Sequence, residues 1–282
     1  MPQQSARTPT IGVFDSGFGG LTVLRALLPL IPGAHYVYVG DTARLPYGSK
    51  SRQTIARYAV ESARFLHQQG ADLLVIACNT ASALALPEIR AALPIPVIGV
   101  IQPGTEAAQA SLPGSTKASQ PQVLVLATSA TVQSHAYADS LRAMGIAATE
   151  KACPLLVPLA EEGWIDHPVT AEVLRIYLAE ALAEAPSAST LLLGCTHYPL
   201  LKPLLQRTLQ ALHHPMTIID SADATAQATA SVVAALGFAA APHDAAPVCS
   251  FYATDSVEKF QRLGSHFLGQ PLPEVKLLDL GG

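Results

Sequence analysis

Short apolar runs alternate with longer stretches in which apolar residues recur at the helical period. The apolar runs are four or five residues long, several are rich in β-branched side chains, and turn residues follow most of them. They predict buried strands over 11–14, 36–39, 73–77, 97–100, 123–127, 191–194 and 216–219. Between them, apolar residues such as Ile55, Ala59, Ala63 and Leu66 recur close to every 3.6 positions. Helices are predicted over 21–30, 52–69, 82–92, 134–143, 170–183 and 222–236.

The alternation of strands and helices determines the predicted fold class. Because no hairpin turn joins consecutive strands, each strand is expected to pair in parallel after a helical crossover. We therefore predict an α/β protein built on mostly parallel sheets flanked by helices. The stretch 111–122, SLPGSTKASQPQ, combines Pro, Gly and Ser and predicts a solvated loop.

Two pairs of strand ends resemble each other. The apolar strands that end at Cys78 and Cys195 are each followed by two hydrogen-bonding residues. The strands over 11–14 and 123–127 each lead into acidic or hydroxyl residues. The matched order favours a duplicated unit over chance. Two such units would face each other with the carboxyl ends of their strands at a common cleft, where open α/β sheets bind ligands.

Composition and charge exclude several classes of function. The 282 residues are 50% hydrophobic and 13% charged, which is enough apolar material for a buried core. The 17 Lys and Arg residues form no basic cluster, so no nucleic-acid partner is expected. The apolar runs are far shorter than the ~20 residues of a membrane span, and no secretory signal is visible in the first ten residues. We predict a cytoplasmic protein with no membrane partner, and the four dispersed cysteines agree with a reducing compartment.

A glycine-rich turn follows the first predicted strand. Asp15 and Ser16 end the strand, and three glycines within the next four positions lead into a helix. Glycines let a ligand approach the free N–H groups of a helix start, which suit a carboxylate or a phosphate. A tight turn capped by Asp15 or Ser16 is equally compatible with the pattern. The dinucleotide-binding spacing GxGxxG and the lysine of a phosphate-binding loop are both missing, so a nucleotide cofactor is not expected.

The loop over 40–50 is the second candidate for a binding segment. It mixes charged residues with a Pro46-Tyr47-Gly48 turn, and loops of this kind often carry function. Tyr47 offers a hydroxyl and Gly48 a backbone amide to a substrate. A polar loop whose charges lie in water is equally compatible with the sequence.

Cys78 and Cys195 are the strongest candidates for chemistry. Each lies where an apolar strand ends and a helix is predicted to begin, and a helix N-terminus lowers a thiol pKa from ~8.5 toward neutrality. Cys153 and Cys249 lack such neighbours and are expected to be structural. No CxxC or HxxxH spacing predicts a metal site, and a Cys195–His197 nucleophile is disfavoured because residues two apart on a turn seldom face each other. Two matched cysteines suit acid–base catalysis, in which one removes a proton from a substrate and the other delivers a proton to the opposite face.

Four segments resemble the glutamate racemase family, among the aspartate/glutamate racemases: GVFDSGFGGLTVL at 12–24, GDTARLPYGSKS at 40–51, ACNTASA at 77–83 and GCTHYPLL at 194–201. The resemblance implies two pseudo-symmetric α/β domains with the active site in the cleft between them. Residues 1–101 and 215–282 would form the first domain and residues 102–214 the second. The implied activity is racemisation of L-glutamate to D-glutamate at Cα without any cofactor or metal, supplying D-glutamate for bacterial peptidoglycan. The resemblance also implies a homodimer.

The resemblance assigns catalytic roles to five residues. Cys78 would deprotonate D-glutamate and Cys195 would deprotonate L-glutamate. Asp15 would assist Cys78, while His197 and Glu161 would assist Cys195. The residue after Glu161 is also a glutamate, so a shift of the alignment by one position is the alternative.

The resemblance also assigns residues that bind the substrate. These are Asp15, Ser16, Tyr47, Gly48, Asn79, Thr80, Thr128, Thr196 and His197. Two other functions stay open on the sequence. An aspartate racemase would use the same paired cysteines with different loops after the strands. A binding module for amino acids or small anions would need no matched cysteines.

Overall fold

The computed structural model describes residues 7–112, 122–239, 242 and 245–280. These residues form two sheets, and every strand pair within them is parallel. The predicted α/β class, with parallel sheets flanked by helices, is confirmed. The strands are β1 (Thr10–Asp15), β2 (His35–Gly40), β3 (Leu73–Ile76), β4 (Val97–Gly99), β5 (Gln122–Ala127), β6 (Ala147–Ala152), β7 (Thr190–Gly194), β8 (Thr217–Asp220), β9 (Val248–Ala253) and β10 (Val275–Leu277).

Helices follow most of the strands and cover the sheets. They are α1 (Leu21–Leu27), α2 (Arg52–Gln68), α3 (Asn79–Ala92), α4 (Ile101–Ser111), α5 (Ser129–Ser134), α6 (Ala136–Ala143), α7 (Leu156–Glu161), α8 (Pro168–Glu184), α9 (Lys202–Ala211), α10 (Ser221–Ala235) and α11 (Val257–Leu268). Short 3-10 helices lie at Thr42–Arg44, Tyr47–Ser49 and Tyr198–Leu201. In the described part of the chain, no helix has the length and apolar character needed to cross a membrane.

The two sheets share one strand order. The first sheet runs β10-β9-β2-β1-β3-β4 and the second runs β6-β5-β7-β8. The second sheet therefore repeats the last four strands of the first, with β5 in the place of β1 and β7 in the place of β3. This correspondence matches the strand that leads to Cys78 with the strand that leads to Cys195, as the repeat in the sequence predicts.

Strand β8 lies in a different sheet from the one expected. It pairs with β7, with Thr190 opposite Thr217 and Leu193 opposite Asp220, whereas a division at 215 places it with the first sheet. The reason is that β8 is the fourth strand of the repeated four-strand unit. It lies beside β7 in the second sheet, just as β4 lies beside β3 in the first. The chain returns to the first sheet one element later, because α10 packs its apolar side against α1. The division of the chain into two domains otherwise stays a prediction.

Helix α2 shows how the apolar pattern determines burial. Ile55, Ala59, Ala63 and Leu66, the four residues whose spacing predicts a helix, are all fully buried. They pack in the apolar core between the first sheet and helices α2 and α3. The side chain of Ser51 caps the helix by accepting a hydrogen bond from the Thr54 N–H at 3.3 Å.

The loop predicted over 111–122 starts inside a helix. Its first residue, Ser111, is the last residue of α4, and the Ser111 hydroxyl donates to the Ala108 carbonyl at 2.7 Å. Most of the remainder, residues 113–121, lies outside the described residues.

Candidate active site

The carboxyl ends of β1, β3, β5 and β7 adjoin each other and hold most of the predicted site residues. Several hydrogen bonds join the two halves of the molecule there. The Thr22 hydroxyl donates to the Thr196 carbonyl at 3.0 Å, the hydroxyls of Thr80 and Thr128 lie 3.1 Å apart, and a third bond joins α6 to α3. The structure thus brings the strand ends of both sheets to one buried cleft.

Cys78 lies at the N-cap of α3 and forms the first half of the site. Its side chain is 5% exposed, and its Sγ accepts a hydrogen bond from the Ala81 N–H at 3.4 Å. The thiol donates to the Ser16 hydroxyl, also at 3.4 Å. Asp15 is buried nearby, with Oδ2 accepting from the Gly17 N–H at 2.9 Å. Its Oδ1 is buried and has no hydrogen-bond partner among the described residues.

Burial determines the protonation of this half. It raises the pKa of Cys78 to about 12, with a further rise from the negative charge of Asp15. The expectation that a helix N-terminus brings this pKa toward neutrality is therefore wrong for Cys78, because the hydrogen bonds from Ser16 and Ala81 are outweighed. Burial also raises the pKa of Asp15, although the charge of His197 opposes the rise. In this structure Cys78 is a thiol and a proton donor.

Cys195 follows β7 and forms the second half of the site. Its side chain is 4% exposed, and its Sγ lies 3.9 Å from Nδ1 of His197. The expectation that Cys195 and His197 face away from each other is thus wrong. The Tyr198 N–H donates to the Cys195 carbonyl at 3.1 Å and closes a turn that brings the imidazole back to the sulfur.

Glu161, the last residue of α7, lies on the other side of the His197 ring. Its Oε1 is 3.1 Å from Nε2 of His197, whereas Glu162 is exposed, so Glu161 is the glutamate that contacts the ring. Burial lowers the pKa of His197, but hydrogen bonds to Cys195 and Glu161 outweigh this effect and raise the pKa to about 10. The imidazole is therefore a cation at neutral pH, placed between a sulfur and a carboxylate.

The glycine-rich turn after β1 makes room for this histidine. A Cβ on Gly19 would lie 2.3 Å from the Thr196 hydroxyl and 2.5 Å from Nδ1 of His197, closer than real contacts allow. The ring also meets the edges of Phe18 and Phe267, at centroid separations of 6.2 and 5.0 Å. Gly19 is thus needed because the turn that carries Cys195 and His197 packs against it.

A cluster of threonine hydroxyls joins the two halves beside Cys78. The hydroxyls of Thr80, Thr128 and Thr131 form a triangle with separations of 3.1, 3.2 and 3.0 Å, which we call the threonine triangle. Gly48 lies next to it, since a Cβ there would be 3.9 Å from Thr128. These three hydroxyls and the backbone of Gly48 can offer hydrogen bonds to a polar substrate.

Tyr47 presents its hydroxyl to Asp41 rather than to the cleft. Asp41 is fully buried and accepts hydrogen bonds from the Tyr47 hydroxyl, from Nε of Arg44 and from the Thr254 hydroxyl. The Arg44 side chain is only 10% exposed and also pairs with Glu61. The alternative of a loop whose charges lie in water is therefore wrong for Asp41 and Arg44, which fix the loop to the core.

The site includes residues that the sequence did not indicate. Thr131 could have been found from its position three residues after Thr128, because the Thr128 hydroxyl caps α5 by accepting from the Thr131 N–H. No local pattern indicates Tyr137, whose hydroxyl donates to Oδ1 of Asn79 at 2.5 Å, since 58 residues separate the two.

The arrangement suits proton transfer to and from a small polar molecule. A protonated thiol lies at one strand end, and a sulfur beside an imidazolium lies at the matching strand end. Among the described residues, no group of three or more His, Cys, Asp or Glu side chains is placed to hold a metal ion. The chemistry available from these side chains is acid–base catalysis.

Comparison with known proteins identifies the family. A family model described as Asp/Glu/Hydantoin racemase matches residues 11–229. A glutamate racemase of Koribacter versatilis is 50% identical over 299 residues, covering 99% of this chain and 100% of that protein. The structure of glutamate racemase from Thermus thermophilus in complex with β-chloro-D-alanine has a TM-score of 0.84 at 40% identity, covering 98% of this chain and 99% of the other. A Francisella tularensis glutamate racemase in complex with D-glutamate has a TM-score of 0.85 at 33% identity, with coverage of 98% and 99%. The chain belongs to the Asp/Glu/Hydantoin racemase family.

Proposed function

We propose that this protein interconverts L- and D-glutamate by proton transfer at Cα between two cysteines, without a cofactor. The observation that carries the proposal is the pair of buried sulfurs, Cys78 and Cys195, at the carboxyl ends of the matched strands β3 and β7. The relatives named glutamate racemase and the D-glutamate bound to the Francisella tularensis protein support glutamate as the substrate.

The groups beside each sulfur assign the roles of the two cysteines, with a buried thiol at Cys78 and the His197 cation beside Cys195. In the direction from L to D, Cys195 acts as a thiolate beside the His197 cation and removes the α-proton, becoming a thiol. Cys78, whose pKa burial raises to about 12, delivers its own proton to the opposite face of Cα and becomes a thiolate. In the reverse direction Cys78 is the base and Cys195 the acid.

Asp15 and Glu161 support opposite steps. Burial raises the pKa of Asp15 and so favours the protonated carboxyl over the carboxylate, whose negative charge opposes ionisation of Cys78. The carboxylate of Glu161 holds the proton on His197, and this positive charge stabilises the Cys195 thiolate. Protonation of Asp15 thus favours the thiolate of Cys78, and the positive charge of His197 favours the thiolate of Cys195.

Hydrogen-bond donors in a dry site stabilise the charge that develops during the reaction. Asn79, Thr80, Thr128 and Thr196 are near the two sulfurs and offer donors to the substrate carboxylates. Such donors are strongest where water is excluded. Because both sulfurs are 4–5% exposed, glutamate can reach them only when the cleft opens, and closure over the bound substrate excludes water.

The proposal is tested by incubating the purified protein with L-glutamate in D₂O and no added cofactor. Loss of optical rotation and uptake of deuterium at Cα are expected together. Cys78→Ala and Cys195→Ala are each expected to abolish racemisation, whereas Cys249→Ala, in the half-buried strand β9, keeps it. Full activity in either of the first two variants would refute the two-base mechanism.

Two other outcomes separate the remaining functions. If the protein turns over aspartate in preference to glutamate, its substrate is aspartate and the protein is an aspartate racemase. Binding of glutamate without deuterium uptake would make the cleft a binding module rather than a catalytic site.

The biological setting is part of the same proposal. From the resemblance to glutamate racemases we infer an enzyme of the bacterial cytoplasm that supplies D-glutamate for peptidoglycan and acts as a homodimer. Exposed apolar side chains at Trp164, Ile165 and Val169 give the surface beside α8 a patch suited to self-association. Light scattering during size-exclusion chromatography tests the oligomeric state.

A further inference from the structure

Tyr137 contacts both segments that carry the cysteines. It lies in the first turn of α6, is fully buried, and donates to Oδ1 of Asn79, the residue that follows Cys78. Its ring also lies against Gly194, the residue that precedes Cys195, because a Cβ on that glycine would be 2.9 Å from Cε2 of the ring.

The bond from Tyr137 leaves one end of the Asn79 amide unused. Nδ2 of Asn79 is buried and has no hydrogen-bond partner in the described part of the chain. A buried donor without a partner costs about 1–3 kcal/mol, so most buried polar groups are paired. An unused NH₂ group beside Cys78 therefore indicates a donor that is paired when a substrate fills the cleft.

Burial keeps the proton on the Tyr137 phenol by raising its pKa, although the Ser221 side chain at the start of α10 opposes the rise. The phenol directs this proton at Oδ1 of Asn79. The NH₂ group of the amide is thus held away from Tyr137.

We propose that Tyr137 is a positioning residue that holds the Asn79 amide with its NH₂ group toward the α-carboxylate of the substrate. The inference rests on the proposed racemase function. The α-carboxylate is the group concerned because Asn79 adjoins Cys78, whose sulfur must reach Cα. Negative charge moves onto this carboxylate as the α-proton leaves, so the donor matters most in the transition state. The bond that Asn79 accepts from Tyr137 polarises the amide and strengthens its NH₂ group as a donor.

The first test replaces the phenol and leaves the ring. Tyr137→Phe is expected to lower kcat for L-glutamate by about tenfold or more while KM changes by less than about threefold, because the bond acts mainly in the transition state. Tyr36→Phe is the matched control, since Tyr36 is also buried but donates to the carbonyls of Leu27 and Ile31. Both variants are expected to show similar shifts of the thermal midpoint, so the loss of kcat separates positioning from a structural role.

A double-mutant cycle with Asn79→Ala tests whether Tyr137 acts through Asn79. Addition of Tyr137→Phe to Asn79→Ala is expected to cause no further loss, because the group being positioned is already missing. Deuterium uptake at Cα gives the sensitivity that these slow variants need.

Three outcomes would contradict the inference. An unchanged kcat in Tyr137→Phe, measured beside an active wild type, refutes the positioning role alone. The positioning role is also refuted if Tyr137→Phe lowers kcat by the same factor in the wild type and in Asn79→Ala. A wild-type protein that fails to racemise glutamate refutes the proposed function and the inference with it.

Discussion

Replacement of Glu161 by glutamine removes one charge from the site and keeps the shape of the side chain. The carboxylate Oε1 lies 3.1 Å from Nε2 of His197, and the Glu161 side chain is only 23% exposed, so solvent screens the pair weakly. A carboxylate this close to a cation typically shifts the pKa of its partner by about 1–3 units. We therefore expect Glu161→Gln to lower the pKa of His197 from about 10 by that amount.

The direction of the effect on catalysis follows from the role of the His197 cation. Its pKa is raised in the native site, so the positive charge persists through neutral pH and is lost only as the pH approaches about 10. Loss of the charge removes the stabilisation of the Cys195 thiolate, and kcat/KM falls on the alkaline side. In Glu161→Gln this alkaline limb should lie about 1–3 pH units lower than in the wild type.

Circular dichroism measures the rate in either direction across the pH range. Because L- and D-glutamate have equal free energies, kcat/KM must be the same from either enantiomer, which gives an internal check on each profile. Glu162→Gln is the matched control, since Glu162 is the next residue along the chain and is exposed. An alkaline limb that coincides with the wild type, or one that Glu162→Gln shifts equally, would refute the assignment of Glu161 to His197.

Two further substitutions test how the site is held in place. Gly19→Ala places a Cβ within 2.5 Å of the Thr196 hydroxyl and the His197 ring. We expect the rate of this variant to fall on the order of a hundredfold, because a displacement of about 1 Å in a catalytic group has an effect of that size. Gly17→Ala is the control, since a Cβ there meets only the Leu45 side chain, at 3.3 Å. A wild-type rate in Gly19→Ala would contradict the close packing seen here. Asp41→Ala leaves the Arg44 guanidinium without its buried partner and should lower the free energy of unfolding by about 3–5 kcal/mol in denaturant titrations. Asp139→Ala is the control, because it breaks an exposed pair with Arg142. If this variant is equally destabilising, the burial of Asp41 does not contribute to the stability of the loop.

The sequence predicted the seven strands that are apolar runs, including the edge strands β4 and β8, and missed β6, β9 and β10. Strands β1, β3, β5 and β7 are continuous apolar runs because helices cover both sides of them. Strand β6 reads AATEKA and is half-buried, with Glu150 and Lys151 paired to other charged residues, so it carries no apolar run. Strand β10 has only three residues.

Most of the predicted site residues lie together because they directly follow strands. The DSGFGG and ACNTASA segments follow β1 and β3 of the first sheet and GCTHYPLL follows β7 of the second, so parallel pairing brings their chemical groups to the carboxyl edge of each sheet. No pattern in the sequence indicates contacts between segments that are far apart along the chain. The hydrogen bond between Thr254 and Asp41, which are 213 residues apart, is an example. The apposition of Cys195 and His197 was missed for a different reason, because it depends on the backbone angles of one turn.

The threonine triangle has a consequence for the kinetics of opening the cleft. Its three hydroxyls both donate and accept, so each can exchange its partner for water as the two halves separate. Exchange of a neutral hydrogen bond with water changes the free energy by only ~1 kcal/mol. The two charged groups of an ion pair at the same place would each have to be hydrated as the halves separate, or would be left without a partner. At this edge, separation of the two halves therefore changes the free energy by only ~1 kcal/mol for each hydrogen bond, so the threonine triangle does little to oppose opening of the cleft.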